Sequence, residues 1–216
     1  MSSWSRSGCL ALAVSVSGAC GGPDALDETV TDAAVTQEAP PAALTSSITY
    51  SNCSTARKTV VGQALSAAST YANDAVSYLT FTTPGPTQRY TTWFGAYHLS
   101  RWTTARTHFT SIKSVFASKA LVIDCGCTSP GYGFVYAAQP YKFYLCGTFW
   151  SAPPTGTDSQ AGTFIHLASQ FTAVAATDGW VYGQEDAMSL ALSDPFKALD
   201  NSDSHQYFAE NTPALP

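Results

Sequence analysis

The sequence predicts an α+β fold over residues 47–216, mainly helical with a small antiparallel sheet. Two observations support this prediction. Residues 54–116 carry two long apolar stripes with helical spacing, and residues 121–146 hold three short β-like runs separated by turn residues. Further helices then follow the sheet instead of alternating with its strands, which is typical of an α+β domain and not of a doubly wound one.

The first 20 residues have the pattern of an export signal. Arg6 is the only charged residue, and an apolar run over residues 9–16 leads to the small residues 17–19 directly before Cys20. This ending resembles a bacterial lipoprotein cleavage site, so we expect Cys20 to be acylated, with an ordinary cleaved signal as the alternative. The protein is therefore expected to be secreted or a cell-envelope lipoprotein of a bacterium, meeting a membrane only through this anchor.

Residues 21–46 predict a disordered linker, because they hold five of the 15 acidic residues, no Lys or Arg, and almost no large apolar side chain. Such a composition cannot bury enough apolar surface to offset the entropy of ordering. Residues 47–216, the expected folded domain, are close to neutral, with ten acidic and nine basic residues. This balance argues against nucleic acid as a partner, and we expect a monomer.

The folded domain is predicted to begin with an edge strand, because Ile48–Cys53 alternates apolar and polar residues. A long helix is predicted from Ser54 onward and should end at the Pro-Gly-Pro turn of residues 84–86. The many alanines on its apolar face indicate close packing against another element. This face consists of Val61, Leu65, Ala68, Ala72, Ala75 and Leu79.

An aromatic segment, Arg89–Tyr97, leads into a second predicted helix. His98 and His108 flank the apolar stripe of that helix, and both are expected to be surface or capping residues because neither has a second metal ligand at helical spacing. The stripe consists of Trp102, Ala105, Phe109, Ile112 and Phe116.

Strands and shorter helices are predicted in the second half of the domain. A helix that contains His166 should start near Asp158, which suits an N-cap. Two more helices are predicted around Glu185–Ser193 and Ser204–Glu210. The three runs that predict strands are Leu121–Cys125, Gly133–Ala138 and Lys142–Cys146.

Four cysteines remain in the domain once the two of the signal region are set aside. An even number in an exported domain favours two disulfides. Cys125 and Cys127 are too close to pair easily with each other, so each is expected to reach elsewhere. We prefer the pairs Cys53–Cys125 and Cys127–Cys146. A metal site is the alternative, although the C-x-C segment has no second pair at zinc spacing.

One helical segment has the frame of a zinc-binding motif without its chemistry. In H-E-x-x-H, two histidines one turn apart bind zinc and the glutamate is the general base. Here His166 is followed by Leu167 in the place of the base and by Gln170 in the place of the second histidine. This pattern alone is uninformative, because a histidine four residues before a glutamine occurs by chance in many helices.

The surrounding segments give the pattern its meaning. Over essentially all of residues 47–216, the chain resembles the peptidyl-Lys metalloendopeptidases, within the deuterolysin-like (aspzincin) zinc proteases. The resemblance implies a zincin-like metalloprotease domain with a polypeptide ligand, and the cysteine placement fits the two disulfides of that family. The segments that carry it are Tyr71-Ala72-Asn73, Arg89–Gly95, Cys125-x-Cys127, Tyr144–Trp150, Gly162–His166, Asp178–Gly183, Tyr207–Asn211 and Pro213-Ala214-Leu215.

The resemblance also implies roles for individual residues. In the family, two histidines and a downstream aspartate hold zinc, a tyrosine steadies the tetrahedral intermediate, and an Asp-x-x-Glu pair binds the substrate lysine. In this chain His166 takes the place of the first ligand, Tyr182 that of the tyrosine, and Asp203 that of the first acid of the pair. Each of these has a simpler interpretation: a packed histidine, a cleft wall, and a helix N-cap.

Four other positions of the family pattern have lost their chemistry. Leu167 cannot accept a proton, and a positioned general base contributes about 10²–10⁴ in rate. Gln170 and Gly179 replace two ligands, although zinc prefers imidazole, thiolate or carboxylate. Gln206 replaces the second acid of the lysine-binding pair, which weakens selection by charge.

The sequence therefore predicts a catalytically inactive pseudopeptidase that keeps a polypeptide-binding cleft and needs no cofactor. The first alternative is an active, divergent zinc metalloendopeptidase in which Asp178 and His205 join His166 as substitute ligands. The second is an envelope or adhesive module whose groove binds nothing.

Overall fold

A computed structural model describes residues 47–216, and the fold is mainly helical with one small sheet, as predicted. The predicted signal peptide, Cys20 and the predicted linker lie outside the described residues. The strands are β1 (Ile48–Ser51), β2 (Leu121–Asp124), β3 (Gly133–Phe134) and β4 (Lys142–Leu145). The helices are α1 (Thr55–Phe81), α2 (Gln88–Phe94), α3 (Leu99–Ser118), α4 (Gln160–Ser169), α5 (Gln184–Ser193), α6 (Pro195–Leu199) and α7 (Ser202–Glu210), with a 3₁₀ turn at Thr148–Ser151.

Helix α1 is the centre of the domain and packs against α3, α4 and α7. Ser54 caps its N-terminus by accepting a hydrogen bond from the amide of Arg57 at 3.3 Å. The predicted apolar face is fully buried. Because Ala68, Ala72 and Ala75 lie on that face, neighbouring helices can approach the α1 backbone closely.

Aromatic side chains fill the space between α2, α3 and α7. The segment at residues 88–94, predicted only as aromatic-rich, forms α2, because Thr87 caps it and Gly95 ends it with a positive φ of 73°. His98 caps α3 by accepting from the amide of Ser100 at 3.3 Å, which confirms a capping role for this histidine. The buried aromatic residues here are Tyr90, Trp93, Phe94, Trp102, Phe109, Tyr207 and Phe208.

The sheet is mixed, so the prediction of an antiparallel sheet was wrong. Its strand order is β1-β2-β4-β3, and only the β3–β4 pair is antiparallel. The parallel β1–β2 pair is possible because the whole α1–α3 segment forms the crossover between the two strands. Strand β1 lies at an edge, as predicted.

Strand β3 is shorter than the predicted Gly133–Ala138. It ends at Phe134, because the chain turns away from the sheet and the amide of Gln139 bonds to the carbonyl of Tyr136 at 2.8 Å. Residues 135–138 thus lie in a loop beside the sheet, with Tyr136 edge-on to the ring of Phe134.

Two disulfides, Cys53–Cys125 and Cys127–Cys146, join the predicted partners. Both lie at the end of the sheet where β1, β2 and β4 terminate. They tie these strand ends together at a point where the chain otherwise continues as irregular loops. Within residues 47–216, the helices lack the combination of length and apolarity that a membrane span requires.

Candidate functional site

Helix α4 carries His166 into a cleft of about 490 Å³. The N-cap of α4 is Ser159, not the predicted Asp158: the Ser159 hydroxyl accepts from the amide of Gly162 at 2.9 Å, whereas Asp158 has a positive φ of 53°. The cleft is lined by Gly131, Tyr132, Gly133, Asp158, Thr163, His166, Leu167, Tyr182, Gly183, Asp203, Gln206 and Tyr207.

His166 is fixed by a carboxylate in the first turn of α7. Its Nδ1 lies 2.6 Å from Oδ1 of Asp203, and Oδ2 of Asp203 accepts from the amide of Gly183 at 2.6 Å. One carboxylate therefore holds both the imidazole ring and the loop before α5. Asp203 is not the predicted N-cap, because α7 begins at Ser202, two residues before the predicted start, and its N-cap is Asn201.

Gln170 occupies the remaining nitrogen of His166. Its amide Nε2 lies 3.3 Å from Nε2 of the imidazole. With the Nδ1 proton of His166 donated to the carboxylate, Nε2 carries the lone pair of the ring and accepts a hydrogen bond from the side-chain amide of Gln170. That lone pair is the one with which this ring would bind a metal from within the cleft.

Leu167 belongs to the core and not to the chemistry of the cleft. Its side chain is only 2% exposed, and its Cδ1 lies against the bare backbone of Gly133. A Cβ at Gly133 would lie 3.0 Å from that carbon and 2.6 Å from the backbone oxygen of Tyr144. The missing side chain of Gly133 thus leaves the room that Leu167 fills.

Tyr182 covers Gly179 in the same way. The Tyr182 ring stacks on His166 with its centroid 6.2 Å away, and its hydroxyl would clash with a Cβ added at Gly179. The adjacent Asp178 is exposed, and its backbone forms an isolated bridge with Asn201. Asn201 also holds this loop through its side-chain oxygen, which accepts from the amides of Trp180 and Val181.

Gln206 faces a buried carboxylate that the sequence did not single out. Its amide donates to Oε1 of Glu210 at 3.2 Å, one helical turn further along α7. Glu210 also accepts from the backbone amides of Asp158 and Ser159 and from the Ser159 hydroxyl. Burial raises the pKa of Glu210 to about 7, although these four donors favour the ionised form.

His205 lies outside the cleft, so its proposed role as a substitute ligand was wrong. It is fully buried, and its Nδ1 bonds to the carbonyl of Asn201 and its Nε2 to Nδ1 of His108, both at 3.0 Å. Burial lowers the pKa of His205 to about 3, with the neighbouring His108 as the next cause. Since residues two apart on a helix point in nearly opposite directions, His205 faces away from Asp203.

The donors in this cleft do not fit a zinc ion. Within residues 47–216, no three His, Cys, Asp or Glu side chains come close enough together to hold a metal. The single imidazole of His166 already bonds through both nitrogens, to Asp203 and Gln170. Zinc in proteins takes three or four imidazole, thiolate or carboxylate ligands.

Peptidases are similar in sequence to this chain. A family model described as lysine-specific metallo-endopeptidase matches residues 79–210. The chain is 49% identical over 189 residues to an extracellular protease of Aeromonas hydrophila, covering 87% of this chain and 54% of that protein. It is 50% identical over 169 residues to a peptidyl-Lys metalloendopeptidase of Pleurotus ostreatus, covering 77% of this chain and 99% of that one.

A solved structure is also similar to this chain in both fold and sequence. The zinc peptidase from Grifola frondosa matches with a TM-score of 0.73 and 46% identity, over 76% of this chain and 100% of that chain. The chain thus spans about half the length of the Aeromonas relative, nearly all of the Pleurotus protein and all of the solved Grifola chain. Sequence and fold together establish that the chain belongs to the lysine-specific metalloendopeptidase family.

Proposed function

We propose that this protein is an exported, catalytically inactive member of its family that binds polypeptide in the cleft without cutting it. Export is supported by the signal-like N-terminus and by the extracellular protease among the relatives. A polypeptide ligand is supported by the peptidyl-Lys metalloendopeptidase relatives.

The observation that supports inactivity best is the way the replaced residues interact. Leu167 packs on Gly133, Gln170 bonds to His166, and Tyr182 covers Gly179. Each position that lost its chemistry is therefore filled or occupied by a contact of its own. The cleft therefore offers no unoccupied imidazole nitrogen for a metal and no carboxylate at the general-base position of the family.

The cleft nevertheless keeps features that suit an extended chain. The edge strand β3 contributes Gly133, and aromatic Tyr132 and Tyr182 stand at the opening, 37% and 66% exposed. Aromatic rings with both apolar faces and hydroxyl groups are common contacts for peptide ligands. Such a surface can bind polypeptide without a catalytic centre.

The zinc content of the purified, extensively dialysed protein tests inactivity directly. We expect far less than one zinc per chain and no cleavage of a lysine-containing protein during long incubation with added zinc. Stoichiometric zinc, or cleavage that a chelator stops, would instead establish the divergent metalloendopeptidase, which the roughly 50% identity to peptidases favours. Peptide binding is measured separately, so that a protein without activity is distinguished from one without a ligand.

A further inference from the structure

Asp158 is a second carboxylate of the cleft, and neither the family pattern nor the comparisons give it a role there. It lies directly before Ser159, the N-cap of α4, and its own amide donates to Glu210 at 3.2 Å. This bond and the positive φ of 53° fix Asp158 at the cleft wall. It is half-buried, so it is accessible to a ligand.

Asp203 is poorly placed to hold a ligand, because both of its oxygens are in use. Oδ1 binds the imidazole of His166 and Oδ2 accepts from the amide of Gly183. Its side chain is only 7% exposed. Binding a cation through Asp203 would therefore compete with the two contacts that position the cleft.

Asp158 has a free oxygen. Its Oδ1 accepts from the Tyr207 hydroxyl at 2.6 Å, while Oδ2 has no partner among residues 47–216. None of the residues that line the cleft is Lys or Arg, so no protein cation competes for this oxygen there. Burial raises the pKa of Tyr132 on the cleft wall, and the charges of Asp158, Glu210 and Asp203 raise it further, which shows the negative field of this region.

We propose that Asp158, through its free Oδ2, binds the primary ammonium group at the end of a ligand side chain in this cleft. Asp203 then acts as a positioning residue that holds His166 and the backbone of Gly183. This inference rests on the proposed function only in taking the ligand to be a polypeptide. The family pattern assigns the recognition of a cationic side chain to positions 203 and 206 on α7. In this chain we assign it instead to Asp158, in the loop before α4.

The test compares two labelled peptides that differ only in one central residue, lysine or its uncharged analogue norleucine. Binding to the full chain is measured by fluorescence anisotropy for the wild type and for Asp158→Asn, Asp203→Asn and Asp186→Asn. Asp186 is exposed outside the cleft, so its variant controls for net charge. Asparagine keeps an oxygen that can accept from Tyr207, which limits any effect of Asp158→Asn on folding.

We expect the wild type and Asp186→Asn to prefer the lysine peptide by about tenfold, and Asp158→Asn to bind both peptides equally. Asp203→Asn should weaken both peptides while keeping the preference, because it disturbs His166 and not the ammonium contact. Loss of the preference in Asp203→Asn but not in Asp158→Asn would overturn the inference. Equal binding of both peptides to the wild type would do so as well, while leaving the proposed function intact.

Binding of n-butylammonium, followed by NMR chemical shifts, separates this inference from the proposed function. If the peptides fail to bind but the ion binds with a dependence on Asp158, the polypeptide function is wrong and the cation site stands. If the wild type binds neither the peptides nor the ion, both are wrong. If the ion binds equally well to Asp158→Asn, the assignment of Asp158 is wrong.

Discussion

The hydroxyl of Tyr182 occupies the volume that a side chain on Gly179 would need. The backbone of Gly179 lies outside the left-handed region, so its conformation permits a side chain, and only the phenol stands in the way. Tyr182 is 66% exposed and can rotate toward solvent at little cost. Tyr182 can therefore take its observed position only because residue 179 has no side chain.

Restoring the lost chemistry should restore zinc binding. The variant Leu167→Glu, Gln170→His and Gly179→Asp recreates two histidines, a general base and an acidic ligand on an intact backbone. We expect its zinc affinity, measured by competition with a chromophoric chelator, to exceed that of the wild type by more than about 100-fold. Lysine-directed cleavage of a protein substrate should appear with it, and chelation of the zinc should abolish this cleavage.

The double variant Leu167→Glu and Gln170→His is the matched control, because it lacks the third ligand and should bind zinc weakly. A folded triple variant that binds zinc no better than the wild type would contradict this prediction. Adding Tyr182→Phe to the triple variant removes the oxygen that overlaps the new Cβ at position 179. Zinc binding that appears only then would identify Tyr182 as the obstacle.

Leu167, which stands at the general-base position of the family, should contribute to the stability of the fold. Leu167 is 2% exposed and packs against Gly133, so Leu167→Ala removes buried methyl groups and leaves a cavity. We expect the free energy of unfolding, measured by urea denaturation, to fall by about 2–4 kcal/mol. Leu192→Ala is the control, since Leu192 is 85% exposed and its truncation should change stability by less than about 0.5 kcal/mol. Equal effects of the two changes would show that Leu167 is not a core residue.

Local patterns allowed much of the fold to be predicted. The apolar stripe of α1 depends on residues one helical turn apart, and it is buried as predicted. The direction of the strands could not be predicted, because alternation specifies which face is buried and not which strand is adjacent. The parallel pairing of β1 with β2 depends on where the long α1–α3 crossover packs.

In the site, as in the fold, local motifs were predictable and long-range contacts were not. His166, Tyr182, Asp203 and Gln206 line the cleft, and a known motif marks each of them in the sequence. The contacts that surround them join distant residues: His108 to His205 across 97 positions, and Tyr207 to Asp158 across 49. Neither pair has a signature in the sequence, because only the packing of α3, α4 and α7 brings these side chains together.

Acid should destabilise the protein through His205. The pKa of His205 is about 3 in the folded protein, below the ordinary value of 6.5, because the ring is buried beside His108. Between these two values the unfolded chain binds the additional proton. The stabilisation from a neutral His205 is therefore complete above pH 6.5 and is lost as the pH falls toward 3. The full effect is on the order of 4 kcal/mol.

His205→Asn should flatten this part of the stability curve, measured by urea denaturation from pH 3 to 8. Its control is Leu192→Ala, because Leu192 is exposed and carries no group that titrates, so this change should leave the slope unchanged. An unaltered slope in His205→Asn would show that other groups cause the acid lability. His108 is the first candidate among them, since burial lowers its pKa as well.

Glu210 should act in the opposite direction at higher pH. Its pKa is raised from 4.5 to about 7 in the folded protein, because burial opposes the charged form. The folded state therefore binds the additional proton between these values, and its stabilisation is complete below pH 4.5 and lost as the pH rises through 7. In the range from 4.5 to 6.5 this loss opposes the gain from His205, so we expect a flat stability maximum there.

The variant Glu210→Gln separates the two contributions. A neutral amide can still accept from the amide and hydroxyl of Ser159, so the cap of α4 should survive. Without the titration of Glu210, the stability of the variant should keep rising with pH up to about 6.5 and then level off. The wild type should instead decline between the maximum and pH 8, by less than about 1 kcal/mol, because His205 offsets the part of the Glu210 effect that is lost below pH 6.5. A decline of the same size in Glu210→Gln would show that the ionisation of Glu210 does not oppose folding.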